Sequence, residues 1–463
     1  MSVYRNNPNA IRALVREDCV HRDVYVSPEV FELEMEHLWR NTWIFVGHDS
    51  QVPQKGDFYT TTVARRPVVM VRGADGEVRV FFNRCAHKGA QVVSAVNGNV
   101  GPAIRCPYHG WTYRLDGTLR TVPLKAGYEG TGLAECASSR GLSAVSALRN
   151  YRGFVFVCLA ENGPSFEDYF GDSLTSIDNL VDRAPEGRLE VAGGVLRYLH
   201  DSNWKMFIEN LNDAMHPMVA HESSAGTAKS LWADQPPEAP KPMVIEQFTP
   251  FVNGYDFFDQ MGVKIYENGH SYTGVKFSIH SKYSPVPEYD AALARVRGAD
   301  EAQRILAETR HNTVYYPSLT IKQAIQAIRV VRPIAHNKTL IESWTFRLAG
   351  APPEVLQRTV MYTRLINAPT SVVGHDDRFC YRSIQLGLEA DANEWISLHR
   401  GHTAAEAAGV AGVYNGTNEI SMRGQFRAWS QFMTRGMGGN GSSGGAGRAP
   451  DSTSSLEPNG APV

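Results

Sequence analysis

The sequence predicts an α+β protein with antiparallel sheets. Runs with a two-residue apolar period cluster between about residues 46 and 165, and runs at helical spacing are segregated from them. The regular strand–helix alternation that a parallel βαβ sheet requires is not visible. At 463 residues the chain exceeds one ordinary domain, so two or three domains are expected.

Each element has a local cause. Ser27-Pro28-Glu29 offers a cap and a first-turn proline, and Phe31, Met35, Leu38 and Trp39 recur on one helical face through about Trp43. From about Val46 the period becomes two. Val68–Val71 and Val78–Phe82 flank Gly73-Ala74-Asp75-Gly76, and Trp111–Tyr113 and Thr118-Leu119 flank Asp116-Gly117, two hairpin signatures. The apolar run Gly153–Ala160 reads as a buried strand, far short of the ~20 residues a membrane-spanning helix needs. Helical periodicity returns at Asn203–Val219, Glu288–Thr309 and Pro353–Leu365. Thr313–Tyr316, Ile325–Pro333 and Leu340–Leu348 read as strands, the last two joined by a turn at His336-Asn337-Lys338.

From Gly436 onward Gly, Ser, Pro and Ala dominate, the composition of a flexible tail. Gly436-Met437-Gly438-Gly439-Asn440-Gly441 matches GxGxxG only formally, because no strand precedes it and no helix follows. The expected organisation is an N-terminal helical segment (1–45) packed on the larger domain, a small β domain (46–165), a larger mixed domain (166–435) and a tail (436–463).

Composition narrows the function. With 46 Lys plus Arg against 48 Asp plus Glu, the chain has no basic footprint for nucleic acid or an acidic membrane. Six cysteines are too few for a disulfide scaffold, and the polar N-terminus shows no secretory signal, so a reducing cytoplasm is expected. Those six cysteines stand beside 15 histidines, and the two residue types are common metal ligands.

The strongest motif is Cys85-Ala86-His87, then 18 residues, then Cys106-Pro107-Tyr108-His109. Zinc is the first rival, since two thiolates and two imidazoles satisfy a tetrahedral ion. Zinc fingers usually group like ligands, whereas here Cys, His, Cys and His alternate. That order suits a Rieske [2Fe–2S] cluster, with cysteines on one iron and histidines on the other. Gly89 and Gly110 follow the ligands closely, where the backbone must turn tightly and aim amides at sulfur.

A second constellation offers His216 and His221, with Asp213 one helical turn before His216. A spacing of five points two side chains apart on a straight helix, but Pro217 between them should bend or end it. Two histidines and a carboxylate make the facial triad of a non-haem iron(II) site. Gly374-His375-Asp376-Asp377-Arg378 is the best source of the third ligand, although an acidic pair also suits a helix N-terminus.

Together, Cys85-x-His87 with Cys106-x-x-His109, and Glu209-x3-Asp213-x2-His216-x4-His221, resemble the catalytic α subunit of the Rieske non-haem iron ring-hydroxylating oxygenases. The resemblance spans about residues 25–435. It implies a β-rich Rieske domain, a helix-grip catalytic domain, and cofactors of a [2Fe–2S] cluster and mononuclear Fe(II). It implies Asp377 as the third iron ligand, with Asp376 the neighbouring alternative. It implies a head-to-tail α trimer, often with β subunits, in which Asp213 bridges His216 and His109 of a neighbour to pass electrons. No flavin or nicotinamide fingerprint is present, so a separate reductase, with or without a ferredoxin, must supply electrons from NAD(P)H. Dioxygen and an aromatic substrate complete the set. Monooxygenation or demethylation is the alternative within the family. A Rieske electron carrier with a large appended binding domain is the rival outside it; a carrier needs only about 100 residues, and the second constellation counts against it. Arg329, Arg332 and Arg347 offer themselves to a substrate carboxylate, although arginines alternating along strands ordinarily face solvent.

Overall fold

The computed structural model of the chain describes residues 2–133, 137–236, 238–390, 392–403 and 412–435. The Gly-rich tail and its GxGxxG-like run lie outside the described residues. Among the described residues no helix is long and apolar enough to cross a membrane.

Both expected hairpins form. Arg66–Arg72 and Val78–Phe82 pair antiparallel, with Gly76 at φ 86° in the turn. Asp57–Val63 and Asn97–Asn99 extend that sheet to four strands. Thr112–Tyr113 and Leu119–Thr121 pair around Asp116-Gly117, where the Asp116 carboxylate accepts from the Thr118 amide at 2.8 Å. Ile104–Arg105 makes that sheet three-stranded. The apolar strand Phe154–Cys158 is buried at every position between Ala147–Tyr151 and Ile44–His48.

Ser27 caps its helix through the Val30 amide, and Pro28 occupies the first turn. The α-helix is shorter than expected: it runs Pro28–Leu33, and a π-helical turn covers Glu34–Leu38. Glu34 points inward, where its carboxylate accepts from Lys205 Nζ at 2.5 Å, Trp204 Nε1 at 2.8 Å and Trp429 Nε1 at 2.7 Å. A buried carboxylate is tolerable only with its acceptors filled in this way. Glu34 therefore ties the N-terminal helix to two helices of the larger domain.

The larger domain is built on an eight-stranded antiparallel sheet. Its spatial order is Leu189–His200, Lys338–Leu348, Ala327–Ala335, Leu319–Lys322, Asn312–Tyr315, Ser271–Thr273, Val263–Ile265 and Gly412–Tyr414. The long edge strand Leu189–His200 has no clear two-residue period, because Gly193 and Gly194 take positive φ and shift its register between Ala192 and Val195. The periodicity at Glu288–Thr309 resolves into two helices, Pro287–Arg297 and Ala299–Ala307, broken at Gly298 with φ 86°. The solvated-face reading of the strand arginines is corrected for two of three. Arg347 is exposed and pairs with Glu190, but Arg329 and Arg332 are only 8% and 4% exposed. Alternation marks a solvated face only where one face of the sheet is open, and the strand Ala327–Ala335 is buried on both from Ala327 through Pro333.

Candidate active site and metal centres

Two loops of like construction hold the first set. In each, a glycine amide donates back to the cysteine carbonyl: Gly89 to Cys85 at 3.0 Å, Gly110 to Cys106 at 3.1 Å. Both glycines take positive φ, 79° and 70°, so a side chain at either would strain the turn. The loops face each other. His87 and His109 rings lie 4.7 Å apart, and His87 stacks on Trp111 at 4.8 Å. Cys85 Sγ lies 3.0 Å from the Tyr113 hydroxyl.

This donor set fits a [2Fe–2S] cluster. Burial raises the Cys106 thiol pKa and Cys85 beside it raises it further, while the Tyr108 and His109 amides act the other way. Two adjacent buried thiolates need positive charge to neutralise them, and ferric iron supplies it. The buried His87 Nδ1 has no hydrogen-bond partner, as expected of an atom shaped for a metal.

The second set is assembled from three segments. Asn203 caps the helix Trp204–Asn210, and the chain then turns through Asp213, whose Oδ1 accepts from the Met215 and His216 amides at 2.7 and 3.3 Å. Pro217 opens a separate short helix, Pro217–Ala220, where its missing amide costs nothing. The helix therefore ends and restarts between the two histidines, as their spacing requires. His221 closes the short helix, and its ring centroid lies 5.4 Å from that of His216.

The carboxylate arrives from the helix Val372–Leu388. Its cap is Ser371, which accepts from the Gly374 amide at 3.1 Å, so the acidic pair is not spent on capping. Asp377 Oδ1 lies 3.3 Å from His221 Nε2 and 3.5 Å from His216 Nε2. Asp376 Oδ2 lies instead 3.2 Å from His221 Nδ1, on the far side of that ring. Asp213 Oδ2 stands likewise 3.6 Å from His216 Nδ1. The geometry thus separates the pair, with Asp377 at the meeting point of both rings and Asp376 behind one of them.

Burial alone would raise the Asp377 pKa; the hydrogen bond from His221 and the charges of His216, His221 and Arg329 outweigh it and hold the carboxyl below its ordinary range. One donor atom from each of His216, His221 and Asp377 lies within 4.8 Å of the others, a spacing that one metal ion can bridge. One carboxylate and two imidazoles, each backed by another carboxylate, fit iron(II) with open positions.

These side chains line a cavity shared with Phe251, Phe258, Met261, Ile366 and Val373. Arg329 and Lys322 enter it from adjacent strands, and Arg329 reaches Asn312 Oδ1 at 3.3 Å. The register pairs Arg329 with Thr320 and Ala327 with Lys322, which puts both cations on one face of the sheet. The only carboxylates on this cavity among the described residues are Asp213 and Asp377.

Two family models match the chain: the Rieske [2Fe-2S] domain over residues 42–137, and the ring hydroxylating alpha subunit (catalytic domain) over residues 189–435. The chain belongs to the ring-hydroxylating alpha subunit family. It is an oxidoreductase of the aromatic ring-hydroxylating dioxygenase type, with a Rieske [2Fe–2S] cluster and mononuclear iron as its cofactors.

Among family members, toluate 1,2-dioxygenase subunit alpha of Pseudomonas putida is 31% identical over 386 residues, 81% of this chain and 82% of that one. Anthranilate 1,2-dioxygenase large subunit of Acinetobacter baylyi is 31% identical over 394 residues, 83% of this chain and 80% of that one. In fold the chain resembles naphthalene 1,2-dioxygenase with indole bound, at TM-score 0.73 and 23% identity over 91% of this chain and 94% of that one.

Sequence reasoning missed Lys322 and Asn312 altogether and undervalued Arg329. For Lys322 and Arg329 the signal was a charged residue inside a strand rich in apolar residues, such as Lys322 after Leu319-Thr320-Ile321; Asn312 carried none. Such a residue is costly in a buried strand unless something meets its charge.

Proposed function

We propose that the protein adds both atoms of dioxygen to the ring of an aromatic carboxylate. The observation that carries this reading is the pair of buried cations, Arg329 and Lys322, in the same cavity as His216, His221 and Asp377. Burial, and then the charge of Arg329, hold the Lys322 pKa well below that of an ordinary lysine. A substrate carboxylate in the cavity favours the charged form of Lys322 and offsets the cost of burying both basic groups. Toluate and anthranilate, named for the two relatives, are both aromatic carboxylates.

His216, His221 and Asp377 would hold the mononuclear iron, which would supply dioxygen activation. Asp376 fixes the His221 ring by accepting from its Nδ1, and Asp213 stands behind the His216 ring, its carboxylate 3.6 Å from Nδ1. Arg329 receives the substrate carboxylate as a planar fork, and Lys322 adds a point charge. Phe251, Phe258, Met261 and Ile366 form the apolar wall against which the ring lies and from which water is excluded.

Cys85, His87, Cys106 and His109 would hold the [2Fe–2S] cluster, which would supply the electrons. In a head-to-tail trimer His109 of one copy faces Asp213 of the next, and Asp213 couples the two centres. A reductase supplies NAD(P)H electrons, and β subunits complete the assembly. The balance is one aromatic acid, one O₂, two electrons and two protons per cis-dihydrodiol acid.

The test is a single turnover of chemically reduced, iron-loaded enzyme with benzoate, the toluates, anthranilate and neutral toluene under ¹⁸O₂. A carboxylated diol carrying two labelled oxygens is expected. One labelled oxygen per product, or turnover of toluene alone, would overturn the reading.

A further inference from the structure

The cluster has two unlike faces. On the His109 side Tyr108, 66% exposed, and Leu124, 89% exposed, present apolar surface. On the Cys85 side opens a cleft of about 860 Å³ whose wall includes Cys85 and His87 themselves. Five basic side chains line it, Arg40, Arg66, Arg84, Lys88 and Arg140, and no Asp or Glu does among the described residues. They come from separate parts of the chain: the end of the N-terminal helix, the start of a sheet strand, the first ligand loop and the segment before Gly141. In a chain of net charge -2, so one-sided a cleft is a local field, not a reflection of composition.

Chemistry requires an electron entrance. In the reading above, which this inference rests on, His109 faces the neighbouring subunit and serves the outgoing electron. The incoming electron needs another approach to the cluster, and the basic cleft provides one bounded by two of its ligands.

We propose that the Arg40–Arg66–Arg84–Lys88–Arg140 cleft is the docking surface for the electron donor, a small redox protein with an acidic face around its own redox centre. Complementary charge steers such a partner and raises association 10- to 1,000-fold at low salt. One electron passes per encounter: the donor is oxidised by one electron, the oxidised [2Fe–2S] cluster is reduced by one, and no bond is made or broken. A donor of the plant-type ferredoxin kind has a potential below the Rieske range, so the transfer is downhill.

The probe is reduced plant-type ferredoxin, an acidic [2Fe–2S] protein, mixed with the assembled holoenzyme while cluster bleaching is followed. Two charge reversals are compared with the parent: Arg84→Glu/Lys88→Glu in the ligand loop, and Arg40→Glu/Arg140→Glu away from it. Both should lower the second-order rate constant at least tenfold and flatten its fall with ionic strength. Calorimetry should show the affinity for oxidised ferredoxin falling in parallel, while bleaching by reduced methyl viologen, a small cation, is not slowed. An unchanged ferredoxin rate in both variants, or a parental rate indifferent to salt, would overturn the proposal. So would variants that elute as smaller assemblies, because the cleft would then belong to a contact between copies. The ring-dihydroxylation reading stands or falls separately, in chemically reduced single turnovers where no donor takes part.

Discussion

The two metal-binding regions are built on opposite plans. The proposed cluster ligands sit on two short loops, each closed by its own glycine, and every one lies within four residues of that glycine. The proposed iron ligands come from segments more than 150 residues apart, and the basic side chains facing them come from two further strands. The first site is fixed by local turn geometry. The second exists only once a sheet and three helices have packed. A local site writes itself into the sequence as a motif, whereas a packed site leaves isolated residues whose purpose depends on their neighbours.

The contrast breaks most sharply in paired removals. Asp377→Ala should abolish turnover and lower iron from about three to about two per chain, with the Rieske absorbance intact. His87→Ala should do the reverse, bleaching the cluster while the second site still takes up iron. Loss of both centres in either variant, read by iron analysis and visible spectra, would show the regions to be one cooperative unit.

Packing beneath the second region is the next target. Glu34→Ala strands the buried Lys205 ammonium, whose pKa burial already lowers, and frees the Trp204 and Trp429 indoles. A loss of about 3–5 kcal/mol in unfolding free energy is expected, measured by denaturant titration. A change below about 1 kcal/mol would mean that the N-terminal helix is not tied in through this carboxylate.

Arg329→Met keeps the volume of the cavity wall and removes a charge-assisted bond of about 1.5–3 kcal/mol, so KM for an aromatic acid should rise roughly 10- to 150-fold. A neutral aromatic should bind no worse. Equal losses for acid and hydrocarbon would reduce Arg329 to a packing residue.

The finest distinction is between adjacent carboxylates. Asp376→Asn removes only the group behind His221, so iron affinity should fall roughly 10- to 100-fold and excess iron should restore turnover. Failure of excess iron to restore it would exchange the roles of Asp376 and Asp377.

Much of this was legible beforehand. Ser27-Pro28, Gly73–Gly76 and Asp116-Gly117 act within a few residues, and each forms the element its chemistry predicts. The break at Pro217 was legible for the same reason, since a proline amide is missing in any context. Leu189–His200 was not, because a double-glycine register shift erases the period on which strand recognition depends.

By itself, then, the sequence pointed to a Rieske [2Fe–2S] cluster and proposed its ligands, since alternating Cys and His, two glycines and two hairpins leave few other uses for those loops. It also limited the second carboxylate to Asp376 or Asp377. Only the tertiary structure separated that pair, and only it turned Arg329 from an expected surface residue into a cavity wall. The physical reason is range. Turn and cap geometry is decided by covalently adjacent residues, whereas burial of a charge depends on which face of a sheet the rest of the chain covers.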